Sequence, residues 1–140
     1  AKPTYRAIPR VTYTDPELAN VGLTEAEAKD RLGGDIRILR WPFAENDRAQ
    51  AERRTEGFVK VIADRKGRIH GVCIVGPHAG ELIMPWVLAV ENGLKVGAMA
   101  SVVAPYPTLS EVSKRASGSY FTASLFSERT KKLVRFLMRF

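Results

Sequence analysis

The chain has 140 residues, 45% of them hydrophobic, which predicts about one globular domain with an ordinary core. Its formal net charge of +7 is compatible with nucleic acid, an anionic membrane or an acidic protein as partner, but its single cysteine excludes an internal disulfide and a Cys-x-x-Cys motif. The apolar run at residues 82–90 is far shorter than the ~20 residues of a membrane span. We therefore expect a protein of the reduced cytoplasm and, since the sequence starts at Ala1, an excised or processed piece of a longer chain.

The first part of the chain predicts short strands around one helix. After a linker at residues 1–7, strands are expected at 8–14, 20–23 and 35–43. Thr24 and Glu27 match a capping box, with Thr at the N-cap and Glu at N3, so a helix should begin there. It should end near Gly33, and the polar stretch 45–54 is either a short helical turn or a loop.

The second part predicts one hairpin followed by helices. Two runs rich in Val and Ile, at 57–63 and 68–75, flank a four-residue loop, which is typical of a β-hairpin. Helices are expected at 78–92, 96–101, 109–125 and 127–139. Pro85 should kink the first of these helices or delay its start, and Gly93 should cap it. The pattern predicts an α+β domain, an antiparallel sheet with helices packed on one face, over residues 8–125.

The segment 126–140 is predicted to be a separate basic C-terminal helix. At helical spacing the apolar residues on one side are Leu133, Phe136, Leu137 and Phe140, and the basic residues on another are Lys132, Arg135 and Arg139. This pattern fits a helix that lies on a membrane surface, which would make the protein peripheral to a membrane. A terminal helix that packs on its own domain, or on one outside this chain, fits as well and is the alternative that we favour. We expect no nucleic-acid partner, because aromatic and basic residues are not interleaved elsewhere.

The most specific local pattern is the loop before the helix predicted at 109–125. Pro105 and Pro107 flank Tyr106, and a Thr-x-x-Glu helix start from Thr108 to Glu111 follows at once. This predicts a rigid loop that presents a tyrosine at a helix N-terminus. The simpler alternative is that Tyr106 only packs, and that the Glu111 carboxylate accepts a hydrogen bond from the Thr108 N–H as part of a capping box.

The remaining reactive residue types predict little chemistry. His70 and His78 have no cysteine or carboxylate cluster beside them, so no metal site is expected. Cys73 lies in an apolar run and is expected to be a small buried hydrophobic residue. The glycine-containing stretch 76–81 matches neither the Gly-x-Gly-x-x-Gly nor the Gly-x4-Gly-Lys-Ser/Thr spacing of phosphate-binding loops.

Several blocks of the sequence nevertheless resemble, in order, one known family. The blocks are residues 8–25, 46–49, 56–60, 76–83 and 107–111. Together they are similar to the C-terminal dimerisation domain of the FAD-dependent pyridine nucleotide–disulfide oxidoreductases, over about residues 8–121. Dihydrolipoamide dehydrogenase, glutathione reductase and mercuric reductase belong to this family.

The resemblance implies an enzyme of which this chain is only a part. Members are homodimers that pass electrons from NAD(P)H through FAD to a disulfide or another acceptor. Their FAD and NAD(P) domains, and the redox-active cysteine pair, precede the dimerisation domain. We therefore expect FAD and NAD(P) in the parent protein but neither cofactor on this chain, a homodimer in contact with those missing domains, and no activity for the 140 residues alone.

The resemblance also implies catalytic roles for Tyr106 and Glu111. The family has a His-Pro-Thr-x-x-Glu motif that reaches the partner subunit's flavin and disulfide, where the His is the acid/base and the Glu holds its imidazole. The His-Pro peptide is typically cis, so the Tyr106–Pro107 bond is expected to be cis. This chain has Tyr106 in place of the His. A tyrosine base at neutral pH needs a pKa lowered by roughly three units, whereas a neutral phenol can donate a hydrogen bond, position a substrate or act as a weak acid.

Mercuric reductases also place a tyrosine at this position. Their C-terminal vicinal cysteine pair is absent here, because the sequence ends in Leu-Met-Arg-Phe. The sequence therefore gives no support for mercury as the substrate.

Overall fold

Five antiparallel strands form one sheet in the computed structural model, which describes residues 5–125 and 128–138. The strands are β1 (Arg10–Thr12), β2 (Glu17–Gly22), β3 (Ile36–Pro42), β4 (Phe58–Asp64) and β5 (Ile69–Gly76). Their spatial order is β1-β2-β5-β4-β3. The predicted hairpin is thus the centre of the sheet, and β3 is one of its edges.

Seven α-helices accompany the sheet in the described part of the chain. They are α1 (Glu25–Leu32), α2 (Asp47–Ala51), α3 (Ala79–Leu82), α4 (Met84–Glu91), α5 (Val96–Ser101), α6 (Glu111–Leu125) and α7 (Glu128–Leu137). A 3-10 turn, Phe43–Glu45, precedes α2. The α+β class predicted from the sequence is confirmed.

The main core lies between one face of the sheet and the helices that follow it. Val59 and Val61 of β4 are paired with Ile74 and Val72 of β5, and all four are buried. Trp86 of α4 is fully buried in the same cluster, with Val90, Val112 and Ala116. Burial of each large side chain contributes roughly 1.5–3 kcal/mol. This layer fixes α6, and with it the loop that precedes α6.

Helix α1 departs from the predicted one-sided arrangement. Successive strand residues point to opposite faces, so Lys60 lies on the face away from Val59 and Val61. Glu25 of α1 forms an ion pair with Lys60 at 3.3 Å, which places α1 beside this second face. The cause is topological: the connection from β2 to β3 must pass β5 and β4, and α1 makes this crossing.

Local sequence signals account for several helix boundaries. The Thr24 hydroxyl accepts a hydrogen bond from the Glu27 N–H at 3.2 Å, and the Glu27 carboxylate accepts one from the Thr24 N–H at 2.8 Å, which confirms the predicted capping box. Pro85 lies in the first turn of α4, where a missing N–H is tolerated. The single helix predicted at 78–92 is consequently divided into α3 and α4.

A glycine substitution tests the close approach of Gly57, the residue before β4, to the backbone of β5. Gly57 has φ 102°, and a Cβ there would lie 1.9 Å from the Val75 carbonyl oxygen. We expect Gly57→Ala to lower the free energy of unfolding of the purified chain by more than about 2 kcal/mol in urea denaturation. Gly34→Ala is the control, because a Cβ at Gly34 meets nothing within 4 Å. Equal losses for the two variants would contradict the backbone constraint at Gly57.

Candidate functional site

The candidate site is the loop at residues 102–110, which joins α5 to α6. Tyr106 lies near its tip with 70% of its surface exposed. The phenol donates a hydrogen bond to Asp47 Oδ2 at 2.9 Å, and Asp47 is the first residue of α2. The Tyr106–Pro107 peptide bond is cis, as the resemblance predicted.

The preceding residue, Asn46, holds the backbone of the same loop. Its side chain is buried and accepts the Ala49 N–H at 2.9 Å, which caps α2. Its Nδ2 group donates to the Thr108 carbonyl oxygen at 3.1 Å. Two adjacent residues therefore attach the loop to α2, one through the Thr108 backbone and one through the Tyr106 phenol.

Thr108 does not form the capping box that the sequence predicted. Its hydroxyl donates to the Pro105 carbonyl oxygen at 2.6 Å and lies 2.7 Å from the Ser110 hydroxyl. The Glu111 N–H instead contacts the Thr108 carbonyl oxygen at 3.4 Å. The Thr-x-x-Glu pattern does not form a capping box here, because the Thr108 hydroxyl is hydrogen-bonded within the loop, to the Pro105 carbonyl oxygen.

Glu111 is half-buried at the start of α6, close enough to act on Tyr106 through its charge. Among the described residues, its carboxylate has neither a hydrogen bond nor an ion pair. It lines a shallow cavity with Trp41, Lys114 and Arg115. The structure thus brings Tyr106 and Glu111 into the same region, but the phenol's hydrogen-bond partner is Asp47.

The electrostatics of the site favour a neutral phenol. The hydrogen bond to Asp47, then the charge of Asp47, and to a smaller extent the charge of Glu111 raise the pKa of Tyr106 above its usual value of 10.0. Both carboxylates oppose formation of a phenolate beside them. The direction is the reverse of what a tyrosine base at neutral pH requires.

Asp47 and Asn46 are the two site residues that sequence reasoning missed. They lie 59 and 62 positions before their loop partners, so no local spacing could connect them. The one available signal was their membership in the block 46–49, which carried part of the family resemblance.

An apolar groove of about 340 Å³ lies beside the loop. Leu82, Pro85 and Met99 line it from the helices, and Val102 and Val103 line it from the loop. Val103 is 92% exposed. A contiguous exposed apolar surface of this kind is typical of an interaction site.

The other reactive residues form no second site. His70 Nε2 lies 3.3 Å from Asp64 Oδ2, and His78 has φ 55° at the start of α3. Burial raises the pKa of the half-buried Cys73 thiol, which disfavours a reactive thiolate. In the described ranges 5–125 and 128–138, no three His, Cys, Asp or Glu side chains are placed to hold a metal ion. None of the helices there combines the length and apolar character needed to cross a bilayer.

The sheet, its helical layer and the loop at residues 102–110 form an α+β domain in which one loop is exposed beside an apolar groove. Residues 8–117 match the model of the family described as pyridine nucleotide-disulphide oxidoreductase, dimerisation domain. The chain belongs to this family.

Similar proteins include several dihydrolipoyl dehydrogenases. The mitochondrial enzyme of Caenorhabditis elegans is 44% identical over 114 residues, which cover 81% of this chain and 23% of the relative. The mitochondrial enzyme of Schizosaccharomyces pombe is 46% identical over 113 residues, which cover 80% of this chain and 22% of the relative. The chain therefore spans about a quarter of the length of these relatives.

Solved structures show the same fold. LpdA from Mycobacterium tuberculosis superposes with a TM-score of 0.78 at 32% identity, over 85% of this chain and 26% of that chain. The copper(II) complex of the HOCl-induced flavoprotein disulfide reductase RclA from Escherichia coli gives a TM-score of 0.77 at 26% identity, over 81% of this chain and 26% of that one. The resemblance inferred from the sequence blocks is confirmed.

Titration of the phenol tests the Asp47 contact. In NMR spectra of tyrosine-labelled protein, we expect the Tyr106 resonance to titrate above pH 10, and Asp47→Asn to lower its pKa. Removing the negative charge lets the phenolate form more easily, whereas Asp30→Asn removes a carboxylate that has no part in the site. Tyr106→Phe assigns the resonance. A Tyr106 pKa that is unchanged or raised by Asp47→Asn would refute the contact.

Proposed function

We propose that this chain is the dimerisation domain of a flavin-dependent NAD(P)H:disulfide-type oxidoreductase, and that its loop at residues 102–110 completes the partner subunit's active site. The observation that carries the proposal is an exposed Tyr106 on a loop that Asn46 and Asp47 hold in place, within a domain of this family. The boundaries that we propose are a linker at residues 1–7, the domain at 8–125 and the basic helix at 126–140.

FAD and NAD(P) would be bound by parts of the parent protein outside this chain. Dinucleotides bind where a glycine-rich turn joins a parallel strand to a helix N-terminus. The sheet described here is antiparallel, and the sequence has no Gly-x-Gly-x-x-Gly turn. The residues present therefore do not fit a dinucleotide site, and the chemistry proposed for this chain concerns only what its loop presents to a partner.

Tyr106 is proposed to act as a hydrogen-bond donor or weak acid, not as a base. Its raised pKa keeps the proton on the phenol at neutral pH. Asp47 orients the ring by accepting a hydrogen bond from the phenol. In the dimer, a substrate or leaving group at the partner's site would replace Asp47 as the acceptor. Glu111 would support this role through its nearby negative charge, which also disfavours the phenolate.

Dimerisation is proposed to use the apolar groove beside the loop. Val102 and Val103, which line this groove from the loop, are 51% and 92% exposed. Burial of such side chains is the main favourable contribution to most protein association. A second subunit on this surface would bring the loop against its partner.

Steady-state and half-reaction kinetics of the full-length protein test the role of Tyr106. We expect Tyr106→Phe to lower kcat/KM for the electron acceptor by about tenfold or more, since one positioned donor is lost. Reduction of the flavin by NAD(P)H should be unchanged. Tyr106→His should introduce a pH dependence near 6.5, the ordinary pKa of a histidine.

Tyr13→Phe, which alters an exposed tyrosine outside the loop, is the matched control. The proposal fails if Tyr106→Phe and Tyr106→His both leave turnover and its pH profile unchanged.

The dimer surface is tested separately by analytical ultracentrifugation of the full-length protein. Val103→Asp places a charge on the apolar surface, and we expect it to weaken dimerisation by at least about tenfold, because the charge would be desolvated at the interface. Ile38→Asp puts the same charge on the edge strand β3 and should leave the dimer intact. Equal dimerisation of the wild type and Val103→Asp would exclude this surface.

A further inference from the structure

The C-terminal helix α7 (Glu128–Leu137) has a pattern that the oxidoreductase function does not explain. The family model ends at residue 117, so this helix lies beyond the matched domain. Glu128 to Phe140 includes five basic residues and one acidic residue, which gives this segment four of the chain's seven net positive charges. A role for the segment must come from its own chemistry.

Four of the described side chains of α7 fall on two sides of the helix. Val134 and Leu137 are three positions apart and therefore lie on one side of the helix, and Lys132 and Arg135 lie on another for the same reason. Val134 is 47% exposed and Leu137 is 60% exposed, while Lys132 and Arg135 are also exposed. The helix thus exposes Val134 and Leu137 on one side and Lys132 and Arg135 on another.

The sequence favoured packing of α7 on its own domain or on one outside this chain, and the first of these does not account for the exposed side chains. Within residues 5–125 and 128–138, α7 has no extensive packing contact with the sheet or with another helix. In contrast, α6 packs on α5, β3 and β4. Val134 and Leu137 therefore remain open to an occupant from outside the described fold.

We propose that α7 is a binding site for an anionic lipid bilayer, on which it lies with Val134 and Leu137 inserted and Lys132 and Arg135 at the headgroups. A basic amphipathic helix of low mean hydropathy binds at this depth through buried apolar area and attraction to anionic lipids. Charge complementarity favours this occupant over an electroneutral protein surface, because each basic residue near an anionic leaflet adds to the attraction. The helix lies on the bilayer surface and does not cross it.

Vesicle co-sedimentation of the full-length protein tests this site. The probes are phosphatidylcholine vesicles with and without phosphatidylserine as the anionic lipid. We expect binding to the anionic vesicles only, and weaker binding at high salt. Lys132→Gln/Arg135→Gln and Val134→Ser/Leu137→Ser should each reduce the partition coefficient by about tenfold or more.

The matched control is Arg31→Gln/Lys66→Gln, which removes two exposed positive charges from the domain and should bind as the wild type does. Absence of binding to anionic vesicles would overturn the proposal, as would unchanged binding by both tail variants. If the full-length protein binds duplex DNA but not vesicles, and Lys132→Gln/Arg135→Gln abolishes that binding, the segment binds nucleic acid instead. A lowered thermal midpoint in the tail variants, without vesicle binding, would show instead that the segment packs on another domain of the parent.

Turnover is expected to be the same in every variant. Failure of the membrane proposal would therefore leave the proposed oxidoreductase function untouched.

Discussion

The buried side chain of Asn46 fixes the loop on which the candidate site depends. It accepts the Ala49 N–H and donates to the Thr108 carbonyl oxygen, so one amide joins the start of α2 to the start of α6. A buried amide without these partners would cost about 1–3 kcal/mol. The loop therefore has one favoured position, and Asp47, the next residue, is placed to accept the Tyr106 hydrogen bond.

This arrangement determines which form of Tyr106 the fold stabilises. The folded pKa of the phenol is raised, so the contact contributes to stability below the unfolded pKa near 10 and is lost as the pH rises through the folded pKa. At neutral pH the contact is fully formed. Solvent screening keeps the contribution small, because the ring is exposed. The contact thus orients a hydrogen-bond donor far more than it stabilises the domain.

Local patterns in the sequence predicted the fold well where only neighbouring residues decide the structure. Thr24 and Glu27 formed a capping box, but the same pattern at Thr108 did not, because the Pro105 carbonyl oxygen engages that hydroxyl. Strand β2 starts at Glu17, earlier than the predicted residue 20, and the Glu17 carboxylate accepts the distant Gly80 N–H at 2.8 Å. The exposed Tyr106 was predicted from its Pro-Tyr-Pro loop and the cis bond from the family resemblance. Asn46 and Asp47 were missed, because they act across about 60 positions.

The exposure of Tyr106 connects the proposed chemistry with dimerisation. A hydrogen-bond donor is worth most where water is excluded, since a low dielectric strengthens its electrostatic interactions. In one subunit, Tyr106 is 70% exposed and the neighbouring Val103 is 92% exposed. A single subunit therefore cannot exclude water from this phenol. A partner that buries Val103 would exclude water from the same region, so the proposed apolar contact between subunits would also create the environment that the proposed role of Tyr106 requires.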